Sequence, residues 1–301
     1  MCVLSSPSNC LSIQSTYIYQ ENNMETIKTI RLYAVAALAA LTMTACSDDD
    51  DNPSTPEKEM LVTKMERKVK YVMEGYEDYF AGAKEDITEM KYDGQGRLIE
   101  WVDNGKFLGL YTYEKGKIIL TNNPNFGSIE FQLNDNGQVA KTIFADGTVD
   151  KLTYNDKGQC VEVNQGGNYR TLFEWTGDDM TFISFPDLED SMSRIGLSVT
   201  YSDLPKKSNA PYLRYMMANY SGYRIDLEIA GVLHISSEKY LPAKAVMEWK
   251  DGCQQIYEAT YERDADGLVT VMHVIYSHRD DASSEPYPVC IYDNEFTYQQ
   301  N

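Results

Sequence analysis

From Leu61 to Met73 the side chains alternate. Leu61, Thr63, Met65, Arg67, Val69, Tyr71 and Met73 fall on one face, and Lys64, Glu66, Lys68 and Lys70 on the other. A period of two predicts a strand with one mostly apolar face and one charged face. Beyond it, apolar and aromatic runs are cut by a recurring turn. Tyr92-Asp93-Gly94-Gln95-Gly96-Arg97-Leu98, Tyr113-Glu114-Lys115-Gly116-Lys117-Ile118, Leu133-Asn134-Asp135-Asn136-Gly137-Gln138-Val139 and Tyr154-Asn155-Asp156-Lys157-Gly158-Gln159-Cys160-Val161 start at 92, 113, 133 and 154, a step of 20 or 21 residues. Trp175 falls one step further on, where Trp175-Thr176-Gly177 departs from the Asp-x-x-Gly order. A late copy runs from Tyr261 to Leu268 and holds Gly267.

The unit is conformational in purpose. Asp or Asn bonds its own downstream backbone and starts a turn, and a glycine at positive φ closes it. Gly96, Gly116, Gly137, Gly158 and Gly267 are the structural turn residues on this reading. Val at Gly96 or Gly158 is expected to cost about 1–2 kcal/mol or more. A second set of turns lies about halfway between: Asp103-Asn104-Gly105, Asn122-Asn123-Pro124-Asn125, Ala145-Asp146-Gly147 and Gln165-Gly166-Gly167-Asn168. Such spacing predicts strands of about 5–8 residues joined up and down. There is no room for regular βαβ crossovers, so the sheet is antiparallel. Twist accumulates along a meander, and curling hides its edges. The expected fold is therefore all-β, an antiparallel up-and-down meander curling into an open or closed β-barrel-like sheet.

The pattern breaks at 202–223. Pro211 suits a helix start, and Leu213, Met216, Met217 and Tyr220 share one helical face. This predicts a short helical insertion capping one end of the sheet. Strands are expected to resume over Arg224–Ile235, Ala243–Lys250, Gln254–Arg263, Leu268–Ser277 and Val289–Tyr298.

The first sixty residues read as address rather than fold. Residues 1–23 carry no pattern and are read as an upstream over-extension of the reading frame. Met24 opens residues 24–45 as a lipoprotein signal peptide: Lys28 and Arg31 are its positive start, and Leu32–Leu41 an apolar stretch too short for a stable span. Met43-Thr44-Ala45-Cys46 resembles the lipobox of bacterial lipoproteins, which implies acylation of Cys46 and outer-membrane lipid as a partner. Ser47, Asp48, Asp49, Asp50 and Asp51 then resemble the surface-export signal of Bacteroidota lipoproteins; residues 46–60 also serve as an acidic flexible tether. The expected location is the outer membrane, lipid-anchored, facing the cell exterior. Residues 61–301 form a single domain on this division.

Composition sharpens the picture in two places. The chain holds 23 Tyr against 9 Phe and 3 Trp, and Tyr favours half-buried strands. The formal charge of −19 repels polyanions, so nucleic acid is not an expected partner.

Chemical motifs are few. Cys160, Cys253 and Cys290 lie in the mature part without C-x-x-C spacing, leaving one disulfide or three buried thiols open. His273 and His278 are five apart in a strand-like run, on opposite faces, so no metal site is expected. No nucleotide, zinc or nucleophile fingerprint appears, and no cofactor is expected. Acid pairs such as Asp178-Asp179 and Glu189-Asp190 cannot be singled out among 46 acids. The local cluster that could hold a ligand is Tyr212, Arg214, Tyr215, Tyr220 and Tyr223. Exposed aromatics beside Arg suit sugar or peptide, while the same residues at helical spacing also suit packing.

The heptad Tyr92–Leu98 resembles the YD repeats of Rhs-type proteins. With the lipobox, the Asp run, Leu241-Pro242-Ala243 and Tyr261–Leu268, the chain resembles a Bacteroidota lipoprotein family of unknown function with a porin-like fold. That resemblance spans about residues 61–298 and implies a β-barrel-like body with no assigned activity. A transmembrane barrel is not implied, because charges line one face of the strands. The expected role is a non-enzymatic surface binding or scaffold protein, with glycan or a surface protein as ligand. A hydrolase using paired carboxylates on polysaccharide or peptide, and a structural envelope component, are the alternatives.

Overall fold

The computed structural model describes residues 60–72, 85–123, 127–166, 169–186, 194–217, 228, 231–233 and 239–300. Segments 1–23, 24–45 and 46–59, with Cys46, Ser47 and Asp48 to Asp51, lie outside them, as do Tyr220, Tyr223, Glu189 and Asp190.

The strands are β1 (Met60–Tyr71), β2 (Glu85–Tyr92), β3 (Leu98–Asp103), β4 (Lys106–Glu114), β5 (Lys117–Asn123), β6 (Gly127–Leu133), β7 (Val139–Ile143), β8 (Val149–Tyr154), β9 (Cys160–Gln165), β10 (Tyr169–Thr176), β11 (Asp179–Ser184), β12 (Arg194–Pro205), β13 (Tyr240–Trp249), β14 (Gln254–Arg263), β15 (Val269–Arg279) and β16 (Tyr287–Gln300). A short helix, α1 (Tyr212–Met216), lies between β12 and β13 among the described residues. Each strand pairs antiparallel with its sequence neighbour, and β1 closes on β16 to complete the barrel. Closure leaves no free edge. The later strands outrun the length read from turn spacing: β16 has 14 residues and β12 has 12.

Alternation decides what faces where. On β16, Cys290, Tyr292, Asn294 and Phe296 are buried while Glu295 and Thr297 are exposed. On β1, Met65 and Arg67 point inward and Lys68 and Lys70 outward. Outside, Lys68 pairs with Glu295 (2.6 Å), Lys91 with Glu100 (2.7 Å), Lys117 with Glu130 (3.1 Å) and Lys244 with Glu258 (3.1 Å). Inside, Leu98, Ile118, Ile129, Phe131, Met180 and Leu197 form the core.

All turns of the first set lie at one rim. Asp93, Asn134, Asn155 and Asp264 repeat one construction, in which the side-chain oxygen accepts N–H groups two and four residues on. Gly96, Gly116, Gly137, Gly158 and Gly267 have φ between +75° and +81°. At Gly158 an added Cβ would also stand 3.1 Å from Gln138 Nε2, which donates to the Gly158 carbonyl at 2.6 Å. The Lys115–Gly116 turn is a tight two-residue hairpin instead.

The tyrosines have a specific task at this rim. Tyr113 OH donates to Leu98 O (2.9 Å), Tyr154 OH to Val139 O (2.8 Å), Tyr201 OH to Met180 O (2.9 Å) and Tyr298 OH to Val269 O (2.9 Å). Tyr92 OH donates likewise to Val62 O, and Tyr261 OH to Pro242 O. Each ties the end of an even strand to the strand before it. At Tyr92, Tyr154 and Trp175 a register shift sits beside the aromatic. Trp175 makes the same bond with its indole N–H, to Cys160 O at 2.8 Å, so the departing hairpin still follows the scheme. Tyr154→Phe is expected to cost about 0.5–1.5 kcal/mol, leaving the Val139 carbonyl without this donor. Chemical denaturation at unchanged m-value measures it.

The insertion differs from its expected form. Ser202 to Pro205 still belong to β12, and the excursion covers 206–239. Among the described residues of Arg224–Ile235 there is no strand: Glu228 is helical and Gly231–Val232 form a turn with Gly231 at φ +71°. Nor does the helix merely cap the rim. Tyr212 OH bonds Tyr298 OH (2.8 Å), the Tyr215 ring packs on Phe296 (5.7 Å), and Met216 O accepts from Tyr292 OH. These are successively deeper inward positions of β16, so α1 descends into the lumen as a plug. At the same rim, Val139 N–H at the start of β7 donates to Val232 O (3.3 Å).

Candidate functional site

Below the plug tip, neighbouring strands bring polar residues into register. Asn294 on β16 pairs with Arg67 on β1, and Arg67 with Asp86 on β2. One rung away, Met65 pairs with Thr88 and Thr88 with Asp103 on β3. All are inward positions. Arg67 is 4% exposed, and each of its guanidinium nitrogens is engaged: Nε with Asn294 Oδ1 (2.9 Å), Nη1 with Asp86 Oδ2 (3.4 Å) and Nη2 with Tyr215 O (3.0 Å). Its charge also lies over the Tyr292 ring, 5.3 Å from the centroid. One side chain thus joins three wall strands to the plug.

Asp86 and Asp103 are distinguished by their surroundings. Asp86 accepts from Asn104 Nδ2 (2.8 Å) as well as from Arg67. Burial, then the nearby charge of Asp86, pushes the Asp103 carboxyl above its usual range. Thr88 Oγ1 donates to Asp103 Oδ1 (3.3 Å), which opposes that shift, as do Arg67 and Arg214. The Asp86 side chain keeps 21% exposure, so the cluster reaches solvent at the rim opposite the plug's entry.

Three buried polar atoms here find no hydrogen-bond partner among the described residues: Trp101 Nε1, Tyr215 OH and Asn294 Nδ2. Burial raises the pKa of the Tyr215 hydroxyl and so disfavours its ionisation, and Tyr92, Arg67, Arg214 and Asp103 lie within its electrostatic reach. Unsatisfied buried donors are rare in folded proteins and ask for a cause.

Of the residues singled out in the sequence, Tyr212, Arg214 and Tyr215 come together on α1. Tyr212 is buried and shares its hydroxyl with Ser208 (2.9 Å) and Tyr298; its ring packs edge-on against Phe296 (5.2 Å). Arg214 is half-buried and gives Nη1 to Met217 O (3.0 Å). Asp178 pairs with Lys239 at the plug rim, away from Asp86 and Asp103. Arg67, Asp86, Trp101, Asp103 and Asn294 were not singled out. A legible signal did exist for Arg67, a charge on the apolar side of an alternating strand. Cys160 and Cys290 are free and buried, so no disulfide joins any two of Cys160, Cys253 and Cys290. Burial pushes both thiols up to about 12, as inert core groups.

The histidines take opposite faces. His278 is buried, with its pKa lowered by desolvation against the pull of Asp280 and Asp251. His273 is outside, with Nδ1 2.7 Å from Asp293 and Nε2 3.0 Å from Glu262. Hydrogen bonds to the carboxylates of Asp293 first and Glu262 second raise its pKa above 6.5. The stabilisation is full below the unfolded value and fades as pH rises through the folded one. The group is over a third exposed, so the effect on stability is small. An NMR titration should place His273 above 6.5, with Asp293→Asn bringing it back down; a wild-type value at or below 6.5 would contradict the pairing.

No family model matches the chain, and no curated protein matches it. Solved structures do. A porin-like protein from Bacteroides uniformis superposes with a TM-score of 0.55 at 15% identity, over 79% of this chain and 96% of that one. The fold is porin-like. A porin-like protein from Bacteroides vulgatus aligns over 80% of this chain and 99% of that one, at 13% identity and a TM-score of 0.43.

The porin-like barrel here carries its polarity in reverse of a membrane barrel. A bilayer-spanning wall shows lipid an apolar band and keeps polar groups inside. This wall holds Lys68–Glu295, Lys91–Glu100 and Lys117–Glu130 on its outer face, among scattered exposed apolar residues such as Leu110, Ile195 and Ile275, and packs most of its large apolar residues inward. Lipid against those ion pairs would strip their water without replacement. The wall therefore suits contact with water, and the fold supplies a packed vessel rather than a channel.

Proposed function

We propose that this chain is a lipid-anchored surface protein, tethered through Cys46, that binds a glycan or a partner protein without catalysis. The observation that carries the reading is the closed barrel with charged pairs on its outer face. Its geometry suits a tether. β1 begins and β16 ends at the plug rim, so the chain leading back to Cys46 departs there. From Cys46 to Met60 an extended chain spans at most about 50 Å. Glycan and peptide arrays probed with residues 58–301, a unit whose strands close on themselves, test this. Binding on either array is expected. Silence on both, with no partner crosslinked on intact cells, overturns it.

One observation favours a second reading, a glycoside hydrolase. Asp103 and Asp86 are neighbouring carboxyls, and burial followed by the nearby charge of Asp86 raises the pKa of Asp103, as the acid of a carboxyl pair requires. A polysaccharide hydrolysis screen with Asp103→Asn as control tests it; turnover abolished in the variant supports it, and no turnover in the wild type removes it.

A further inference from the structure

We infer that the outer face of β15 and β16, centred on Ile275 and Ile291, is where a second copy of this chain docks. Single exposed apolar residues need no explanation, but here three lie together. Ile275 is 44% exposed and Ile291 beside it is half-buried. Val72 is 47% exposed and donates its N–H to Val289 O (3.0 Å), which extends the patch toward the rim opposite the plug. Strand pairing sets one outward row across this face: Lys70 on β1, Ile291 on β16, Ile275 on β15 and Glu258 on β14. Its order is cation, isoleucine, isoleucine, anion. Lys70 is exposed and has no carboxylate partner among the described residues, while Glu258 is paired with Lys244 (3.1 Å) on its far side.

The order of that row decides the occupant. Two copies meeting through the same face are related by a two-fold axis lying in the plane of contact. An axis parallel to the strands, midway between β15 and β16, exchanges the two ends of the row and keeps its height. Ile275 then meets the partner's Ile291, and Lys70 meets the partner's Glu258. In the next row toward the plug, the same operation sets Asp293 against the partner's His273. An axis across the strands would instead oppose Lys70 to the partner's Lys70, which is repulsive. The favoured axis also leaves both plug rims, where β1 begins, on the same side, so two copies can be tethered to one surface. That last point rests on the proposed tether; the match of charges does not. The formal charge of −19 opposes association at long range, but at about 0.15 M salt that repulsion is screened beyond about 8 Å. The flanking charges select the orientation, and burial of the isoleucines supplies the affinity. A row three strand spacings wide, about 14 Å, makes a small interface, so the dimer is weak, with a dissociation constant in the micromolar range or above.

Sedimentation equilibrium of residues 58–301 at about 0.15 M salt tests this, with charge exchange as the decisive arm. A monomer–dimer equilibrium is expected. Ile275→Glu changes a side chain that stands in solvent on the monomer, so thermal melts should be unchanged while dimerisation weakens at least about tenfold. Lys70→Glu alone sets acid against acid, and Glu258→Lys alone sets base against base; each should weaken the dimer about tenfold. An equimolar mixture of these two variants should recover it, because one copy then presents acid at both positions and the other base at both. On intact cells bearing the full chain, a zero-length carbodiimide should join Lys70 to Glu258. Within one chain they stand about 14 Å apart, so that link reports two copies. A protein that stays monomeric at about 100 μM and gives no such link overturns the inference. So does a dimer indifferent to Ile275→Glu, which would place the contact on another face, or a mixture no better than its components, which would overturn the two-fold axis. None of these readouts needs a ligand, so failure here leaves the proposed function standing, and silent arrays leave the dimer standing.

Discussion

Arg67→Leu should lower stability by about 3–5 kcal/mol, because the substitution strands partners that cannot move to water. Asn294 Oδ1 and Tyr215 O are buried acceptors, and Asp86 loses its guanidinium partner while mostly buried. For a domain of this size each kcal/mol shifts Tm by roughly 2–4 °C, so a drop of about 10 °C is expected in thermal melts. Lys68→Leu is the internal control. It is adjacent in sequence, outward-facing and paired with Glu295 in solvent, so its loss should stay within about 0.5 kcal/mol. Arg67→Lys should recover little, since an ammonium cannot meet three acceptors in one plane. A loss below about 1 kcal/mol for Arg67→Leu would mean that the row from Asn294 to Asp86 does not hold the wall to the plug.

The contrast between Arg67 and Lys68 also marks where sequence reading succeeds and stops. Whether a side chain points in or out was legible, because a strand's period is two and the charges between Lys64 and Lys70 keep to it. The turns were legible because Asp93 and Asn155 use the same short-range bonds that make Asp and Asn turn residues anywhere. The site was not. Arg67 and Asn294 are 227 residues apart and meet only because β1 closes on β16, a register no local pattern encodes. Asp103 illustrates a subtler failure. The Asp-Asn-Gly triplet predicts a turn headed by Asp103, but Asn104 and Gly105 supply both positive φ values, +49° and +68°, so Asp103 ends its strand and points inward. One residue of offset moved a carboxyl from the surface to the lumen. The insertion failed differently. Leu213, Met216 and Met217 do share a buried face, yet a stripe at helical spacing does not say whether its partner is the outside of a sheet or the inside of a barrel.

That distinction can be measured at Met216, which is fully buried on α1. If the plug is part of the core, Met216→Ala leaves a cavity inside a closed wall that cannot collapse, at about 2–5 kcal/mol. A strap resting on the rim would swing away and lose under about 1 kcal/mol. The carbonyl of Met216 accepts from Tyr292 OH, and the Tyr292 ring lies beneath the Arg67 guanidinium, so two independent-looking residues hold the same body. The double variant Arg67→Leu/Met216→Ala should therefore fall short of the sum of the single losses by about 1 kcal/mol or more. Once either change frees α1, the other contact has less left to lose. In the same double variant, limited proteolysis should cut within 206–239 while far-UV circular dichroism keeps the barrel's β signal. Full additivity, or collapse of the β signal with the first cut, would show that the plug and wall melt as one cooperative unit and that Arg67 is no latch between them.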